Sequence, residues 1–547
     1  MNKLILYSFI MLFASHLIYA EDEFLSYKSN TYRWLQERKK FDEKMVSKLS
    51  DFRPKTQTFV VSKKDIFKIH YDTLGNNAVD LTDKNKNGVP DYIDSVAFYA
   101  DYIYNVMINE MGYKTPFPEE FGGGSPHYDI YILDIGNGLR GEAYYGETRA
   151  EYELFPRKIF PRYTSYIIID NNYSPNDRTI NDDGTNKSYP TYHTHGILGM
   201  KITLAHEFHH AIQFIYGDPN SNMYSIHEMV SVFMENRLFP ESTDYLQYVR
   251  ALFKDFTKYP FGDGNANIGY SYGIYFHFIN QFFGETTIKR LWELIENGLF
   301  EFQALDSALK EKNSSIKKSW LEFISWIYHT GNRTIDGYSF YQARLFPDFK
   351  FVYTNEISAD NNIQLKSQVL PFEIRPIRII LKTNSLFNTP DTLDFILSNT
   401  EINRVFQQFI TLSDIDLYYP SNSPKAKALC NGYYFVNSNA DFQDTAFCRK
   451  GYKTIAINDA YPSPFNKNIQ TKIYLPTPKE IPFNTNVSVQ IFNTEMEQIF
   501  STETTVMVHN SNRVVVLELD SDKFSSGIYF YKIKSNDYLK IGKFVVK

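Results

Sequence analysis

Histidine is concentrated in one short part of this 547-residue sequence, since six of its 12 histidines lie between His193 and His227. Two of them, His206 and His210, stand four positions apart, and residues at this spacing project from one face of a helix. Two imidazole nitrogens can then be directed at a single metal ion. Together with a carboxylate and a water molecule, such a pair makes the open tetrahedral arrangement of hydrolytic zinc. The segment therefore predicts a Zn²⁺ site that activates water.

Glu207 follows the first of these histidines and is expected beside the open coordination position. A glutamate in this place accepts a proton from the attacking water and later delivers it to the leaving amine, so Glu207 is the predicted catalytic acid and base. His209 points from another face of the helix and is not expected to bind the metal. A chance match on a helix with surface histidines is the alternative, but the apolar runs at 202–205 and 211–214 favour a buried helix.

The third metal ligand must come from another element, and Glu228 is the leading candidate. It lies 18 positions after His210 on the next predicted helix, 224–238, and a Gly-Asp-Pro-Asn turn before that helix allows the chain to double back. Glu235 lies seven residues further along the same helix face, where it could replace Glu228 or orient a metal ligand through a hydrogen bond. His227 adjoins Glu228 but points about 100° away on the helix, so it ranks behind both glutamates.

Peptide hydrolysis also needs a donor for the negative charge that develops on the substrate carbonyl oxygen. Tyr270, Tyr272 and His277 lie in one aromatic segment, IGYSYGIYFHF, and are the candidates for this donor. Aromatic packing inside a core is the alternative explanation for each of them.

A second metal site is predicted in the segment DKNKNGVPDYID at 83–94. Oxygen-bearing side chains occupy positions 1, 3, 5, 9 and 12 of this segment, glycine occupies position 6, and position 7 would offer its backbone carbonyl. This layout is that of an EF-hand-like loop, so we expect a structural Ca²⁺ with no part in catalysis. An Asn/Gly turn that leads into a helix at Pro90 is the alternative. The predicted ligands are Asp83, Asn85, Asn87, Val89, Asp91 and Asp94.

The elements that must position these residues follow from hydrophobic periodicity. A period near that of the helix predicts helices, and runs of β-branched and aromatic residues predict strands. After about residue 345 the helical pattern fades, and short strand-like runs continue to the end of the chain. The predicted fold is an α+β domain at 56–345 followed by two all-β, sandwich-like domains at 346–452 and 453–547. No function is predicted for 346–452. The predicted helices are 90–111, 197–212, 224–238, 272–298 and 317–328, and strands are predicted within 59–72, 128–135 and 166–170.

Residues 1–20 have the pattern of a secretory signal peptide, with Lys3, an uncharged apolar run and Ala20 at the cleavage position. A membrane anchor is the alternative, but the run is shorter than the roughly 20 apolar residues that a spanning helix requires. Residues 21–55 are rich in charge and predict a helical leader or a propeptide. We therefore expect an exported protein without a transmembrane anchor.

Composition narrows the classes of partner. The net charge is -6, so the chain offers no broad basic surface, and we expect no nucleic-acid partner. Cys430 and Cys448 are the two cysteines of the sequence, and in an exported chain they are predicted to form a disulfide.

The blocks TLAHEFHHAIQFIYG and IHEMVSVFMEN resemble a family of secreted bacterial metallopeptidases of the gluzincin type. The similarity runs from about Phe59 to Arg333 and includes DLTDKNKNGVPDYID, YDIYILD and FISWIYHTGNR. The resemblance implies a zincin-like metallopeptidase fold for the α+β domain and an endopeptidase activity on protein or peptide substrates. It also implies a zinc site made of His206, His210 and Glu228, with Glu207 as general base.

The end of the chain resembles the C-terminal sorting domain of type IX secretion cargo. The segments AYPSPFN, SSGIYFYKI and KIGKFVVK carry this resemblance. It implies recognition by the type IX secretion machinery and a secreted, extracellular or cell-surface location. A carbohydrate-binding or adhesive sandwich is the alternative.

Two other functions are compatible with these motifs. A surface binding or adhesion protein could use a zincin-like scaffold and calcium without proteolysis, but it would have no need for Glu207. A metal that merely stabilises the fold would require four protein ligands and no open position.

Overall fold

Part of the chain is described by the computed structural model. The described residues are 28–41, 49–117, 125–139, 142–155, 158–181, 186–219, 221, 223–261, 266–334 and 339–347, and then mainly the strands of the C-terminal part with short flanking segments up to Lys547. The predicted signal peptide at 1–20 and the predicted disulfide between Cys430 and Cys448 lie outside the described residues.

The described helices and strands fall into two regions, an α+β region up to about residue 345 and a region of strands after it. This order confirms the predicted succession of an α+β region and all-β sheets. The helices are α1 Thr31–Arg38, α2 Asp91–Tyr104, α3 Gly196–Tyr216, α4 Tyr224–Leu238, α5 Leu246–Lys254, α6 Ala266–Phe283, α7 Glu285–Glu296, α8 Glu301–Lys310 and α9 Ile316–Tyr328. The strands of the α+β region are β1 Thr58–Val61, β2 Phe67–Tyr71, β3 Tyr128–Leu133, β4 Gly138–Leu139, β5 Gly146–Glu153, β6 Tyr163–Asp170, β7 Arg178–Ile180 and β8 Ser188–Pro190.

Internal contacts divide the chain into two compact units. The first comprises the residues up to Pro219 together with Ser231–Ala251, and the second comprises Asn220–Val230 together with Leu252–Lys547. The division falls inside α4, which is one continuous helix. The first half of α4 therefore belongs to the second unit and its second half to the first.

The first unit contains a sheet with the strand order β1-β2-β3-β6-β5. Strand β5 lies at the end of this order and pairs antiparallel with β6, whereas β2, β3 and β6 are parallel. Helix α3 packs against β5 and β6. Nearly every residue of α3 from Gly199 to Tyr216 is buried, as expected for a helix that is apolar on most of its faces.

Two predicted helices differ from the observed ones for local reasons. The stretch predicted at 272–298 is two helices, α6 and α7, because Gly284 between them has a φ of +90°, which a residue with a Cβ rarely adopts. The stretch predicted at 90–111 is α-helical only as far as Tyr104, and Asn105–Glu110 continue as a π-helix. Helix α4 has the bounds predicted for it, 224–238.

The helices of the second unit enclose a cluster of aromatic side chains. The ring of Phe261 stacks on Trp320 with centroids 4.9 Å apart, and the rings of Tyr272, Tyr275 and Phe372 are among those that pack around Phe261. Aromatic residues bury large apolar areas, so this cluster supplies much of the apolar core between α6 and α9.

All-β sheets follow the helices. Their strands are β9 Tyr353–Ser358, β10 Gln364–Val369, β11 Ile374–Lys382, β12 Asp391–Asn399, β13 Phe406–Thr411, β14 Tyr433–Asn437, β15 Lys472–Pro476, β16 Asn486–Phe492, β17 Gln498–Thr505, β18 Met507–His509, β19 Asn512–Glu518, β20 Gly527–Ser535 and β21 Tyr538–Val546. Within the described residues, the strands between 353 and 437 form one sheet of order β14-β12-β11-β9 and a pair β10-β13, and the last strands form sheets of order β15-β19-β18 and β17-β16-β20-β21. The last two sheets share one buried core, in which Ile473, Val489 and Tyr531 are fully buried. Strand β16 alternates buried and partly exposed residues, the pattern of a sheet with one covered face.

Candidate metal centre

Helix α3 carries polar side chains into an apolar interior. His206, Glu207 and His210 are each at most 1% exposed. Burying imidazole and carboxylate groups costs free energy unless each has a hydrogen-bond partner or a metal ion. The partners of these three residues therefore define what the site can do.

The outer ring nitrogens of both histidines face oxygen atoms. His206 Nδ1 lies 2.8 Å from Glu235 Oε1, and His210 Nδ1 lies 2.8 Å from Gln213 Oε1. A carboxylate oxygen and an amide oxygen only accept hydrogen bonds, so both Nδ1 atoms must carry the proton. In the neutral imidazoles, both Nε2 atoms consequently present lone pairs, which is the form that binds a metal.

These two lone pairs point at a common position. His206 Nε2 and His210 Nε2 are 3.1 Å apart. Two zinc–nitrogen bonds of ordinary length meet at a tetrahedral angle with their nitrogens about 3.3 Å apart. Two lone pairs at this separation repel each other, and a shared cation removes the repulsion. The separation of the two nitrogens fits zinc, and so do the lone pairs that the neutral imidazoles present.

Glu228 supplies a carboxylate at the same place. One ligand atom from each of His206, His210 and Glu228 lies within 4.8 Å of the other two, and all three residues are buried. Two imidazole nitrogens and one carboxylate oxygen form a donor set that zinc takes in hydrolytic sites, with one position left for water. The structure thus brings together the three residues predicted as ligands.

Close packing of α6 against α4 fixes the backbone next to Glu228. A Cβ added at Gly269 would lie 2.6 Å from Glu228 Cβ and 2.5 Å from the carbonyl oxygen of Ser225. Only a glycine allows α6 to approach α4 this closely, so Gly269 helps to position the carboxylate.

Glu235 links the site to a buried ion cluster. Its Oε2 atom lies 2.9 Å from Lys28 Nζ, and Lys28 Nζ also lies 2.5 Å from Asp244 Oδ2. Burial disfavours the charge of Lys28, but the carboxylates of Asp244 and Glu235 outweigh this effect and raise the pKa of the lysine. Tyr145 donates a hydrogen bond to Asp244 Oδ1 at 2.9 Å. The positive charge of Lys28 therefore balances the negative charge of the Glu235 carboxylate, whose other oxygen binds His206.

Two threonine hydroxyls bind the carboxylate of Glu207. Thr31 Oγ1 lies 2.8 Å from Glu207 Oε2, and Thr148 Oγ1 lies 2.9 Å from the same oxygen. Strand β5, which carries Thr148, approaches α3 closely because Gly146 has no side chain: a Cβ there would lie 2.6 Å from Thr203 Cγ2 and 3.0 Å from Glu207 Cγ. The two threonines therefore hold the Glu207 carboxylate in one orientation.

The other histidines of the cluster have partners away from the metal ligands. His209 Nδ1 lies 2.9 Å from Ser231 Oγ and 2.8 Å from Gln213 Nε2. In the second unit, His227 Nε2 lies 3.1 Å from Glu301 Oε1. Burial opposes ionisation of Glu301, but the hydrogen bond and charge of His227 together with the hydrogen bond from Ser221 and a backbone hydrogen bond outweigh it and lower the pKa of the glutamate. The geometry therefore does not direct His209 or His227 to the metal.

The predicted oxyanion donors all lie on α6. Tyr272 donates its hydroxyl hydrogen to the carbonyl of Tyr259 at 2.8 Å, and its ring belongs to the aromatic cluster, so the structure gives it a packing role. Removal from water lowers the pKa of His277 to about 4, so it is neutral at neutral pH. Tyr270 is buried and directly follows Gly269, the residue packed against Glu228.

The predicted calcium loop is exposed and precedes α2. Asp83 accepts hydrogen bonds from the backbone N–H groups of Asn87 and Gly88, and Asp94 accepts them from the side-chain amides of Asn85 and Asn87. Both carboxylates therefore turn toward the loop. Among the described residues, the acidic side chains of this loop do not approach one another as closely as the three zinc candidates do. The other two predicted ligands have different partners: the Asp91 side chain accepts from the backbone N–H of Lys84, and the backbone N–H of Val89 donates to Asn87.

Several residues that contact the site were not predicted from the sequence, among them Gln213, Lys28, Thr31 and Thr148. Gln213 follows His210 by three positions on the same helix, so helical spacing is a signal that could have found it. Lys28, Thr31 and Thr148 reach the site from remote parts of the chain, and their contacts depend on the tertiary fold.

The strands at the end of the chain can be assigned to a family. Residues 459–547 match the family described as the secretion system C-terminal sorting domain. The chain ends in a sorting domain. This finding confirms the prediction made from AYPSPFN and the last strands, and it implies interaction of the sorting domain with the type IX secretion machinery. No curated protein matches the chain.

The sorting domain also bears on location. Proteins with this domain are secreted or held at the cell surface, which agrees with the predicted location. Among the described residues, no helix is both long enough and apolar enough to cross a membrane.

Proposed function

We propose that this protein is a secreted zinc-dependent endopeptidase with a zincin-like fold in its α+β region. The observation that carries the proposal is the convergence of ligand atoms of His206, His210 and Glu228 within 4.8 Å of one another, and Glu207 is buried next to His206 on the same helix. A site that only stabilised the fold would have no need for an additional buried carboxylate at this position.

The roles of the residues follow from their chemistry. His206, His210 and Glu228 would hold the zinc ion, which when bound polarises a peptide carbonyl and makes water more acidic. Glu207 would accept the proton of the attacking water and transfer it to the leaving amine. Glu235 and Gln213 would keep both imidazoles in the tautomer that presents Nε2. Tyr270 and His277 remain the candidate donors to the oxyanion.

The exported location supports this activity, because the sorting domain delivers the α+β region to proteins outside the cell. Protein or peptide chains are therefore the proposed substrates. The loop at 83–94 is proposed to hold a structural calcium ion, on the strength of the inward-turned Asp83 and Asp94.

The substitution Glu207→Gln tests the proposal. It keeps the size of the side chain but removes the base, so the variant should bind one zinc per chain and lose hydrolysis of unfolded casein. Wild-type protein that binds no zinc, or a variant that retains hydrolysis, would refute the assignment. An adhesion protein on the same scaffold would show no difference between the two proteins.

A further inference from the structure

The outer edge of β5 borders the candidate metal centre. Strand β5 is the last in its sheet, and residues Gly146 and Thr148 at its start lie against α3 at Glu207. The backbone groups of an edge strand form a template on which an extended peptide can add as a further strand. A polypeptide substrate is the class of ligand that such an edge fits.

Residues 28–38 of the same chain bind along this edge of β5. Gly146 N donates to the carbonyl of Lys28 and Gly146 O accepts from the N–H of Asn30, both at 3.2 Å, in a parallel bridge. The N–H of Thr148 donates to Thr31 Oγ1 at 2.7 Å. Further along β5, the side chain of Trp34 donates to the carbonyl of Ala150 at 3.0 Å and that of Arg38 donates to the carbonyl of Glu151 at 2.5 Å. The segment therefore follows β5 along most of its length.

The same segment enters the metal centre. Thr31 binds the carboxylate of Glu207, and Tyr32 places its ring edge-on against His210 at 5.2 Å between centroids. The hydroxyl of Tyr32 donates to Gln213 Oε1 at 2.8 Å. Lys28, at the start of the segment, is 1% exposed and pairs with Glu235. The segment thus contacts the general base, a metal ligand and both residues that orient the ligands.

We propose that Lys28–Arg38 is an intramolecular inhibitor that occupies the peptide-binding edge of the site. This inference rests on the proposed endopeptidase function and adds its regulation. A peptide substrate and this segment need the same backbone groups of Gly146 and the same space beside Glu207, so they exclude each other. Because the segment is covalently attached, its effective concentration at the edge is high, and a substrate competes poorly until the segment is displaced.

The test compares the zinc-loaded full chain with a double variant, Asn30→Pro and Thr31→Val. The first substitution removes the N–H that binds Gly146, and the second removes the hydroxyl that binds Glu207 while keeping its shape. Arg33→Ala is the control, since Arg33 lies on the same helix, has a side chain that is 60% exposed, and lies 3.7 Å from Glu37 in an exposed ion pair.

Two quantities are measured, binding of a dipeptidyl hydroxamate by calorimetry and kcat/KM on unfolded casein. The double variant should gain about tenfold or more in both quantities. Losing these hydrogen bonds, including the one that Thr31 accepts from the N–H of Thr148, weakens the closed state by about that factor or more. Its zinc content should equal that of wild type, and Arg33→Ala should behave as wild type. Equal hydroxamate affinity in all three proteins, or lower activity of the double variant at full zinc content, would overturn the inference.

A second measurement uses the wild-type chain, so it does not depend on folding of the variant. Saturating hydroxamate should speed hydrogen–deuterium exchange at amides 29–34, because the ligand displaces the segment. Unchanged exchange at those amides in the ligand-bound protein would also overturn the inference. Failure of the proposed function is distinguishable, because it shows as absent zinc or as hydrolysis that survives Glu207→Gln.

Discussion

Glu235 Oε1 lies 2.8 Å from His206 Nδ1 and is the atom that fixes the tautomer of this predicted ligand. The other oxygen of the same carboxylate lies 2.9 Å from Lys28 Nζ. The carboxylate of Glu235 therefore links a predicted metal ligand to the N-terminal segment. Substitutions of Glu235 or of its partners should change the affinity of the site for zinc.

Replacing Glu235 with Gln should lower the affinity for zinc by about 10–100-fold, the usual effect of losing a residue that orients a metal ligand. The amide is a weaker acceptor for His206 Nδ1 and leaves Lys28 with only Asp244. Zinc affinity is measured by competition with a chromophoric chelator. Glu241→Gln is the control, since Glu241 is half exposed and pairs with Lys201 at the surface. Equal zinc affinity in wild type and Glu235→Gln would show that the contact does not orient the ligand.

A methyl group at Gly269 should disturb the third ligand. In Gly269→Ala the new carbon would collide with Glu228 Cβ and with the carbonyl of Ser225, so α6 must move away from α4. Overpacking of this kind costs about 1–3 kcal/mol, and the shift should also weaken zinc binding. Thermal unfolding and chelator competition measure the two effects. Gly527→Ala, where nothing lies within 4 Å, is the matched control and should change neither. A Gly269→Ala protein as stable as this control would contradict the packing argument.

Asp170 should make stability depend on pH in the acidic range. Burial raises its pKa to about 6, although backbone N–H groups of Asn172, Tyr173 and Ile135 partly offset the shift. The folded state therefore holds the proton more tightly than the unfolded chain. This stabilisation is complete below the unfolded pKa near 4 and is lost as pH rises through 6, a change of roughly 3 kcal/mol.

The variant Asp170→Asn cannot titrate and provides the comparison. Urea titrations from pH 4 to 7 measure the free energy of unfolding of both proteins. As pH rises, this free energy should fall in the wild type relative to the variant. A difference that stays constant over this interval would mean that Asp170 titrates normally.

Sequence patterns gave the succession of elements because periodicity is a local property. The bounds of α4 were predicted, since its apolar residues recur with helical spacing over the whole element. The break between α6 and α7 at Gly284 was not predicted. The residues on both sides continue the same apolar pattern, and only the backbone of the glycine departs from the helix. The π-helix at Asn105–Glu110 likewise has no distinct pattern of residue types.

The parts of the candidate site that lie close together in sequence were predicted, and the parts that depend on distant contacts were not. The spacing of His206, Glu207 and His210 depends on one helix, and Glu228 follows on the next. The role of Lys28 required a contact with Glu235 across 207 positions of sequence, which no local pattern encodes. The same holds for Thr31 at Glu207, so the function of the N-terminal segment emerges only from the tertiary fold.

Calcium should stabilise the α+β region through the loop before α2. Asp83 and Asp94 both turn their carboxylates into the loop, and a cation there would be held by oxygen ligands and would offset their mutual repulsion. Adding millimolar calcium to chelator-treated protein should raise the Tm of wild type, and the variant Asp94→Asn should respond much less. Asp80→Asn is the control, because Asp80 precedes the loop and binds Thr82 instead. A Tm that calcium leaves unchanged in wild type, or raises equally in Asp94→Asn, would leave the loop as a turn that only begins the helix.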